Sequence, residues 1–87
     1  MKHRLSGKAR TREVYLDGKY LNPAPSQKYH NHSPDGYNWG YCGSGCAQLA
    51  LAIMLELTGK ADDYQKFKSD VIAGLPQGQD FDIEFKL

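Results

Sequence analysis

Apolar and polar residues alternate in two separate parts of the chain, and this pattern predicts strands. Two runs of β-formers, residues 13–16 and 19–21, flank the dipeptide Asp-Gly. Asp-Gly between β-formers is typical of a type I′ hairpin turn, which needs positive φ at both central positions. This turn pairs Tyr15 with Tyr20 on one face of the hairpin. The face that we expect to pack inward carries Val14, Leu16 and Leu21.

Apolar and polar residues alternate at the end of the chain as strictly as they do in the hairpin. Residues 81–87 place apolar side chains at every second position, which predicts a half-buried antiparallel strand. The predicted inward residues are Phe81, Ile83, Phe85 and Leu87, and the predicted outward residues are Asp82, Glu84 and Lys86.

Between these strands, two segments have the composition of helices. Residues 46–58 are apolar nearly all round and are followed by glycine, so we expect a buried central helix with Gly59 at its C-terminal end. Either Gly45 or Ser44 serves as its N-cap. A second helix is predicted over residues 61–73. Its apolar side is formed by Tyr64, Phe67, Val71 and Ile72.

Two stretches lack a clear pattern. Residues 1–12 are polar and basic and indicate either a mobile arm or a ragged first strand. Residues 22–45 contain a type I turn at Ser33-Pro34-Asp35-Gly36 and then aromatic residues at every second position, which favours a short strand. We expect most of this stretch to be an ordered loop, and loops of that length are usually functional.

These elements predict an α+β fold in a single domain of 87 residues, with residues 1–12 as a mobile basic arm. An N-terminal β-hairpin, a long ordered loop, two packed helices and a C-terminal strand form a small antiparallel sheet with helices on one face. The uncovered face, with Tyr15 and Tyr20, could pair in a homodimer.

Composition restricts the environment of the chain. The longest apolar run is residues 49–55, which is far shorter than a membrane span requires. No apolar segment follows the charged N-terminus, so we expect no secretory signal and a cytoplasmic protein, in the host cytoplasm if a phage encodes it. The two cysteines are too few for a disulfide scaffold.

The net charge of +1 conceals an asymmetry. Residues 1–32 contain seven basic and two acidic side chains, whereas residues 33–87 contain four basic and eight acidic ones. The basic part could contact the phosphates of a nucleic acid and bind it weakly, although a solvated basic arm is the simpler explanation. The basic arm consists of Arg4, Lys8, Arg10 and Arg12.

The cysteines allow two kinds of chemistry. Cys42 and Cys46 lie at the start of the predicted central helix, where the helix dipole stabilises a thiolate. They could also bind zinc together with His30 and His32, since two sulfur and two nitrogen ligands suit a tetrahedral site. The spacing matches no common zinc module, and every histidine precedes the cysteines. We therefore expect neither a catalytic residue nor a cofactor.

Glycines near the same helix could bind an anion. Gly40, Gly43, Ser44 and Gly45 place free N–H groups at a helix start. No P-loop or dinucleotide fingerprint is present. Capping and close packing are the simpler explanation of these glycines.

The long loop has the composition of a protein-binding surface, because tyrosine and tryptophan are enriched at interface hot spots. The expected partner-binding residues are Tyr37, Trp39, Tyr41, His30 and His32. The alternative is that Trp39 and one tyrosine cover the end of the central helix.

The segment Ser-Pro-Asp-Gly-Tyr-Asn-Trp-Gly-Tyr at residues 33–41, then Gly-Ser-Gly at 43–45 and Ala-Gln-Leu-Ala-Leu-Ala at 47–52, resembles a family of small domains of unknown function. Its members occur in bacteria, phages and mobile elements. The likeness extends over roughly residues 30–76. The family pattern has glycine at Cys42 and proline at Cys46, so the resemblance implies that neither thiol belongs to the shared pattern.

We therefore expect a non-enzymatic accessory protein of phage or mobile-element type. It would bind a host or phage protein and possess no membrane segment, and it could modulate a defence or regulatory complex. The alternatives are the thiol or zinc site and weak nucleic-acid binding through the basic arm.

Overall fold

The computed structural model describes residues 2–41 and 43–86. Four strands form one antiparallel sheet in the order β3-β2-β1-β4, and helices cover one of its faces. This confirms the α+β prediction. The elements are β1 (Lys2–Gly7), β2 (Val14–Leu16), β3 (Lys19–Tyr20), α1 (Ala24–Tyr29), α2 (Ser44–Thr58), α3 (Tyr64–Phe67), a π-helical turn (Lys68–Ile72) and β4 (Phe81–Lys86).

The hairpin has the predicted register. Tyr15 pairs with Tyr20, and their rings meet edge to face with centroids 5.9 Å apart. The turn residues Asp17 and Gly18 have φ values of 52° and 83°, as a type I′ turn requires. The three residues predicted to face inward are buried: Val14, Leu16 and Leu21.

Residues 2–7 are a central strand, which corresponds to the predicted alternative of a first strand and not to a mobile arm. β1 pairs with β2 on one side and with β4 on the other. Its inward residues are Leu5, which is fully buried, and Gly7, where a Cβ atom would overlap the Phe81 ring. Because β4 lies at the far end of the sequence, local pattern could not reveal that this polar segment is paired on both sides.

The loop prediction for residues 22–45 was partly wrong, because these residues include α1. The two prolines that follow the hairpin begin this helix: Pro23 is the N-cap and Pro25 lies in the first turn, where a missing N–H costs nothing. The type I turn is present, with the Gly36 N–H donating to the Ser33 carbonyl over 3.2 Å. The expected strand at residues 37–41 is absent, and Gly40 has a φ of 83° that ends any extended run there.

Helix α2 is the buried centre of the fold, as predicted. Its residues from Cys46 to Ile53 are buried on all sides, and Gly59 closes it with a φ of 73°. The helix begins earlier than expected, because Gly43 is the N-cap and no side chain caps it. Neither Ser44 nor Gly45 has that role.

The second predicted helix is shorter than residues 61–73. It starts at Tyr64 and widens into the π-helical turn, in which the Ala73 N–H donates to the Lys68 carbonyl over 2.8 Å. The turn directs the Ile72 carbonyl toward the loop, where it accepts the Gly40 N–H over 2.9 Å. Strand β4 alternates as predicted, with Phe81 and Phe85 buried, Ile83 half-buried and its charged residues exposed. Leu87, also predicted to face inward, lies outside the described residues.

No helix among the described residues combines the length and the apolarity needed to cross a bilayer.

Candidate functional site

Gln48 attaches the loop of residues 30–41 to α2. Its buried Oε1 accepts the backbone N–H groups of His32 and Ser33 over 2.7 and 3.0 Å. Its Nε2 donates to Ser26 Oγ over 2.8 Å and to the His30 carbonyl over 3.2 Å. Through these four bonds, the Gln48 side chain holds both α1 and the loop. The residue pattern along the chain did not predict this network.

Two of the expected partner-binding aromatics lie in the core. Trp39 is 1% exposed, its Nε1–H donates to the Gln79 carbonyl over 2.9 Å, and its ring packs edge to face on Phe81. Tyr37 is 3% exposed. Only Tyr41 of the three is exposed. Trp39 and Tyr37 therefore pack inside, as in the alternative that they cover the central helix, and cannot contact a partner.

The two histidines lie together at the surface end of the Gln48 network. Their rings stack with centroids 4.1 Å apart, and His32 Nε2 lies 2.7 Å from the Tyr64 hydroxyl. Partial burial lowers the pKa of His32, and the charges of His30 and Lys68 lower it further. This arrangement disfavours protonation of His32 and holds its ring against Tyr64 at the start of α3.

The described residues do not form the thiol or zinc site that the cysteines suggested. Cys46 is fully buried in α2, where its thiol is closed to solvent. Cys42, which the thiol and zinc hypotheses both require, lies outside the described residues. Within residues 2–41 and 43–86, no three histidine, cysteine, aspartate or glutamate side chains are close enough to hold a metal ion.

A polar hollow of about 240 Å³ lies at the N-terminal end of α2, where the sequence suggested an anion site. Ser44 and Gly45 border it, and a Cβ atom at Gly45 would come within 2.7 Å of Asn38. Close packing therefore accounts for this glycine. Arg12 and Asp35 both line the hollow, so its charge does not favour an anion.

The residues of the basic arm lie on two different elements. Arg4 on β1 forms a two-point ion pair with Asp82, with its Nε and Nη2 atoms 2.8 and 2.6 Å from the carboxylate oxygens. This pair raises the pKa of Arg4. Lys8, Arg10 and Arg12 follow β1 in the connection to β2, and Arg12 has a φ of 64°. The four residues therefore do not line one strand face.

An open groove lies between the hairpin and α2, and we call it the hairpin groove. It consists of two adjoining cavities of about 270 and 190 Å³ that share Tyr20, Leu21 and Glu56. The first cavity is further lined by Asn22, Pro25, Ser26, Ala52 and Leu55, and the second by Leu16, Asp17, Lys19 and Leu57.

Strand β3 forms one side of this groove and is an edge strand. Tyr20 lies between two residues that bond to β2: Lys19 pairs with Leu16, and the Leu21 N–H donates to the Val14 carbonyl over 2.8 Å. In an antiparallel pair, the backbone groups of the residue between such bonds point the other way. The N–H and C=O of Tyr20 therefore face outward, and among the described residues they have no hydrogen-bond partner. The Tyr20 side chain is 52% exposed beside them.

One buried hydroxyl lacks a partner. Tyr37 Oη is buried and has no hydrogen-bond partner, and no other buried side-chain nitrogen or oxygen in residues 2–41 and 43–86 lacks one. Burial raises the pKa of Tyr37 well above its usual range, and the charges of Tyr20 and Glu56 add to the effect. Tyr37 borders the polar hollow at the N-terminal end of α2 and lines neither cavity of the hairpin groove.

Sequence reasoning missed this groove because its walls come from distant segments. The hairpin, α1 and the C-terminal half of α2 meet only in the fold, and α1 was not predicted. The available signal was the outward position of Tyr20, which was interpreted as half of an aromatic pair.

Comparison with known proteins gives one match. Neither the curated proteins nor the solved structures contain a chain similar to this one. A family of unknown function, DUF6166, matches residues 3–85 and so includes every element of the fold except the ends of β1 and β4. The chain, with its hairpin, its Gln48 network and its central buried helix, belongs to DUF6166.

Proposed function

We propose that this protein is a non-enzymatic recognition module that binds an extended segment of a partner protein in the hairpin groove. The observation that carries the proposal is the pair of cavities on either side of Tyr20, whose backbone N–H and C=O are free at the sheet edge. An added strand would bond to these two groups, which is a common mode of peptide recognition.

The geometry of an added strand fits the two cavities. Side chains of an extended chain alternate in direction, so the neighbours of a residue opposite Tyr20 point to the other face of the sheet and lie about 7 Å apart. The cavities lie side by side on that face. One partner residue would hydrogen-bond to Tyr20 while its two neighbours fill the cavities.

The proposal moves the binding surface away from the loop of residues 30–41, whose central aromatics are buried. It retains the expectation of an accessory protein of phage or mobile-element type that acts in the cytoplasm on a host or phage protein. The resemblance to such proteins and the small size of the domain support that setting. Weak nucleic-acid binding has less support, because Arg4 is already paired with Asp82.

A displayed library of random heptapeptides tests the proposal without knowledge of the natural partner. We expect selected peptides to shift the amide resonances of Tyr20 and Leu21 and to slow hydrogen exchange at the Tyr20 N–H. We also expect Tyr20→Ala to weaken binding at least about tenfold, as removal of a central interface tyrosine does.

Tyr29→Ala is the matched control, since Tyr29 is 63% exposed on α1 and borders neither cavity. Equal affinity of the Tyr20 and Tyr29 variants would contradict the proposal. Selection of no peptide, or of peptides whose shifts map to residues 30–41, would contradict it as well.

A further inference from the structure

Strand β4 forms the second edge of the sheet, and it is longer than β3. It has six residues where β3 has two. In the order β3-β2-β1-β4, its outer side has no partner strand among the described residues. An exposed edge strand presents a row of N–H and C=O groups to which another strand can pair. The side chains along this edge determine which strand fits it.

The outward backbone groups of β4 follow from the register of β1. Alternate residues of a paired strand bond to opposite neighbours. The Arg4 carbonyl accepts the Asp17 N–H over 2.8 Å, so the even-numbered residues of β1 bond toward β2. The odd-numbered residues of β1 therefore bond to their partners on β4, which are Phe81, Ile83 and Phe85. The backbone groups of the other residues of β4 point away from the sheet: Asp82, Glu84 and Lys86.

The charged side chains of β4 differ in what they contact. Asp82 accepts hydrogen bonds from Arg4 on both of its carboxylate oxygens. Glu84 and Lys86 form no salt bridge among the described residues. Lys86 also lies directly opposite Lys2 on β1, and like charges at opposed positions repel. A carboxylate on the free side of Lys86 would relieve this repulsion.

A second copy of β4 supplies that carboxylate. In a two-fold antiparallel pair centred on Phe85, Glu84 of each copy lies opposite Lys86 of the other, and opposite charges at such positions attract. Both residues direct their backbone groups outward, so each facing pair can exchange its N–H···O=C bonds. Centring the pair on Glu84 would oppose two glutamates, and centring it on Ile83 would oppose Asp82 and Glu84. Of these registers, only the one centred on Phe85 pairs opposite charges without opposing like ones.

The helix-covered side of the same edge adds an apolar surface. A cavity of about 390 Å³ lies there, and Lys86 is the residue of β4 that lines it. Its apolar lining includes Met54 and Val71, which are only partly buried. A two-fold axis perpendicular to the sheet keeps the helices of both copies on one face, so the two cavities flank the axis. The same surface of each copy then contacts the other, as in most homodimers.

We propose that β4 is a homodimer interface, in which two copies of this chain pair their β4 strands antiparallel around Phe85. The two four-stranded sheets then join into one, with a β3 edge and a hairpin groove at each end. The inference goes beyond the proposed function and does not depend on it, because β3 stays free in the dimer. Where both hold, the dimer presents two grooves to its partner, which raises the effective affinity for a partner with two segments.

Sedimentation equilibrium of the full chain measures the association. We expect a reversible dimer for the wild type. Glu84→Lys and Lys86→Glu should each weaken it at least about tenfold, because each change sets like charges opposite each other across the axis. The double variant that carries both changes should dimerise within about threefold of the wild type. Glu13→Lys changes the net charge as Glu84→Lys does but lies in the connection from β1 to β2, and it should have no effect.

Mixing the two single variants tests the register directly. In a mixed dimer, every substituted residue lies opposite a charge of the other sign, so the two weakly associating variants should form a heterodimer. Hydrogen exchange adds a readout at the backbone. Exchange at the Glu84 and Lys86 N–H groups should slow as the concentration of the wild type rises.

Three results would overturn the proposal. The first is a wild type that remains monomeric at about 1 mM. The second is a dimer whose affinity is the same in both single variants as in the wild type, because the interface would then lie elsewhere, for example on the uncovered face with Tyr15. The third is a mixture of the single variants that associates no better than either variant alone.

Discussion

Residues 30–41 and the hairpin groove both carry tyrosines, but the surroundings of those tyrosines differ. In the loop, Tyr37 and Trp39 are buried, and Gln48 satisfies the backbone around them. In the groove, Tyr20 is exposed and its backbone groups are free. Aromatic composition is therefore a poor guide to a binding surface in a small domain, because the same side chains are needed to build its core. Free backbone groups beside an unfilled cavity are the better indicator.

Of the variants that test this contrast, Trp39→Ala should have the largest effect. We expect a loss of about 3–5 kcal/mol in the free energy of unfolding, as for other buried aromatics replaced by alanine. Urea denaturation followed by tyrosine fluorescence or circular dichroism measures it. Tyr29→Ala should change stability by less than about 0.5 kcal/mol, as is usual for exposed sites. A Trp39 variant as stable as the wild type would mean that the loop is a surface feature after all.

Gln48→Leu tests whether the loop depends on the network. The variant fills a similar volume but removes four hydrogen bonds, and it leaves the part-buried Ser33 N–H without its acceptor. We expect a loss of about 2–3 kcal/mol, since unsatisfied buried groups pay their desolvation cost. Hydrogen exchange should accelerate at His32 and Ser33, and unchanged protection there would contradict the assignment.

Tyr37→Phe should have a smaller effect with the opposite sign. Because the hydroxyl has no partner, its removal should leave the free energy of unfolding unchanged or raise it by up to about 1 kcal/mol. Thermal and urea unfolding of the free protein measure this. A clear destabilisation would show that the hydroxyl is already bonded inside the protein.

The smallest effect concerns pH. The folded protein holds the pKa of His32 below its ordinary value of 6.5, so the unfolded chain takes up a proton more readily as pH falls. This part of the stability is therefore complete above pH 6.5 and is lost as pH falls through the folded pKa. Unfolding measured between pH 8 and pH 5 should show a shallower decline for His32→Gln than for the wild type. Identical curves would remove His32 as the cause.

The parts of the fold that were predictable depend on neighbours in sequence. The hairpin follows from Asp17-Gly18, and strand β4 follows from its alternation. Helix α1 was missed because Pro23 and Pro25, which stand two positions apart, suggest a loop. Both prolines lie at the start of the helix, where a helix tolerates them. The central position of β1 was not predicted because it depends on pairing with β4, at the far end of the sequence. A strand of mostly polar residues has no apolar alternation that would indicate such pairing.

The candidate site was less predictable than the fold. Burial of Trp39 and Tyr37 depends on where Gln79 and Phe81 lie in the fold, and the sequence alone does not reveal those positions. The groove depends on the angle between the hairpin and α2, which is a property of packing. Only the exposure of Tyr20 followed from the predicted register.

The central position of β1 has a consequence for synthesis in the cell. Strand β1 is synthesised before its partner β4, and the ion pair between Arg4 and Asp82 joins residues 78 positions apart. The sheet therefore cannot close until β4 has been made, and β1 must wait unpaired on the side that β4 later covers. Contacts of such long range slow folding. A growing chain of this kind exposes an unpaired strand edge, a feature that makes partly folded chains prone to aggregation.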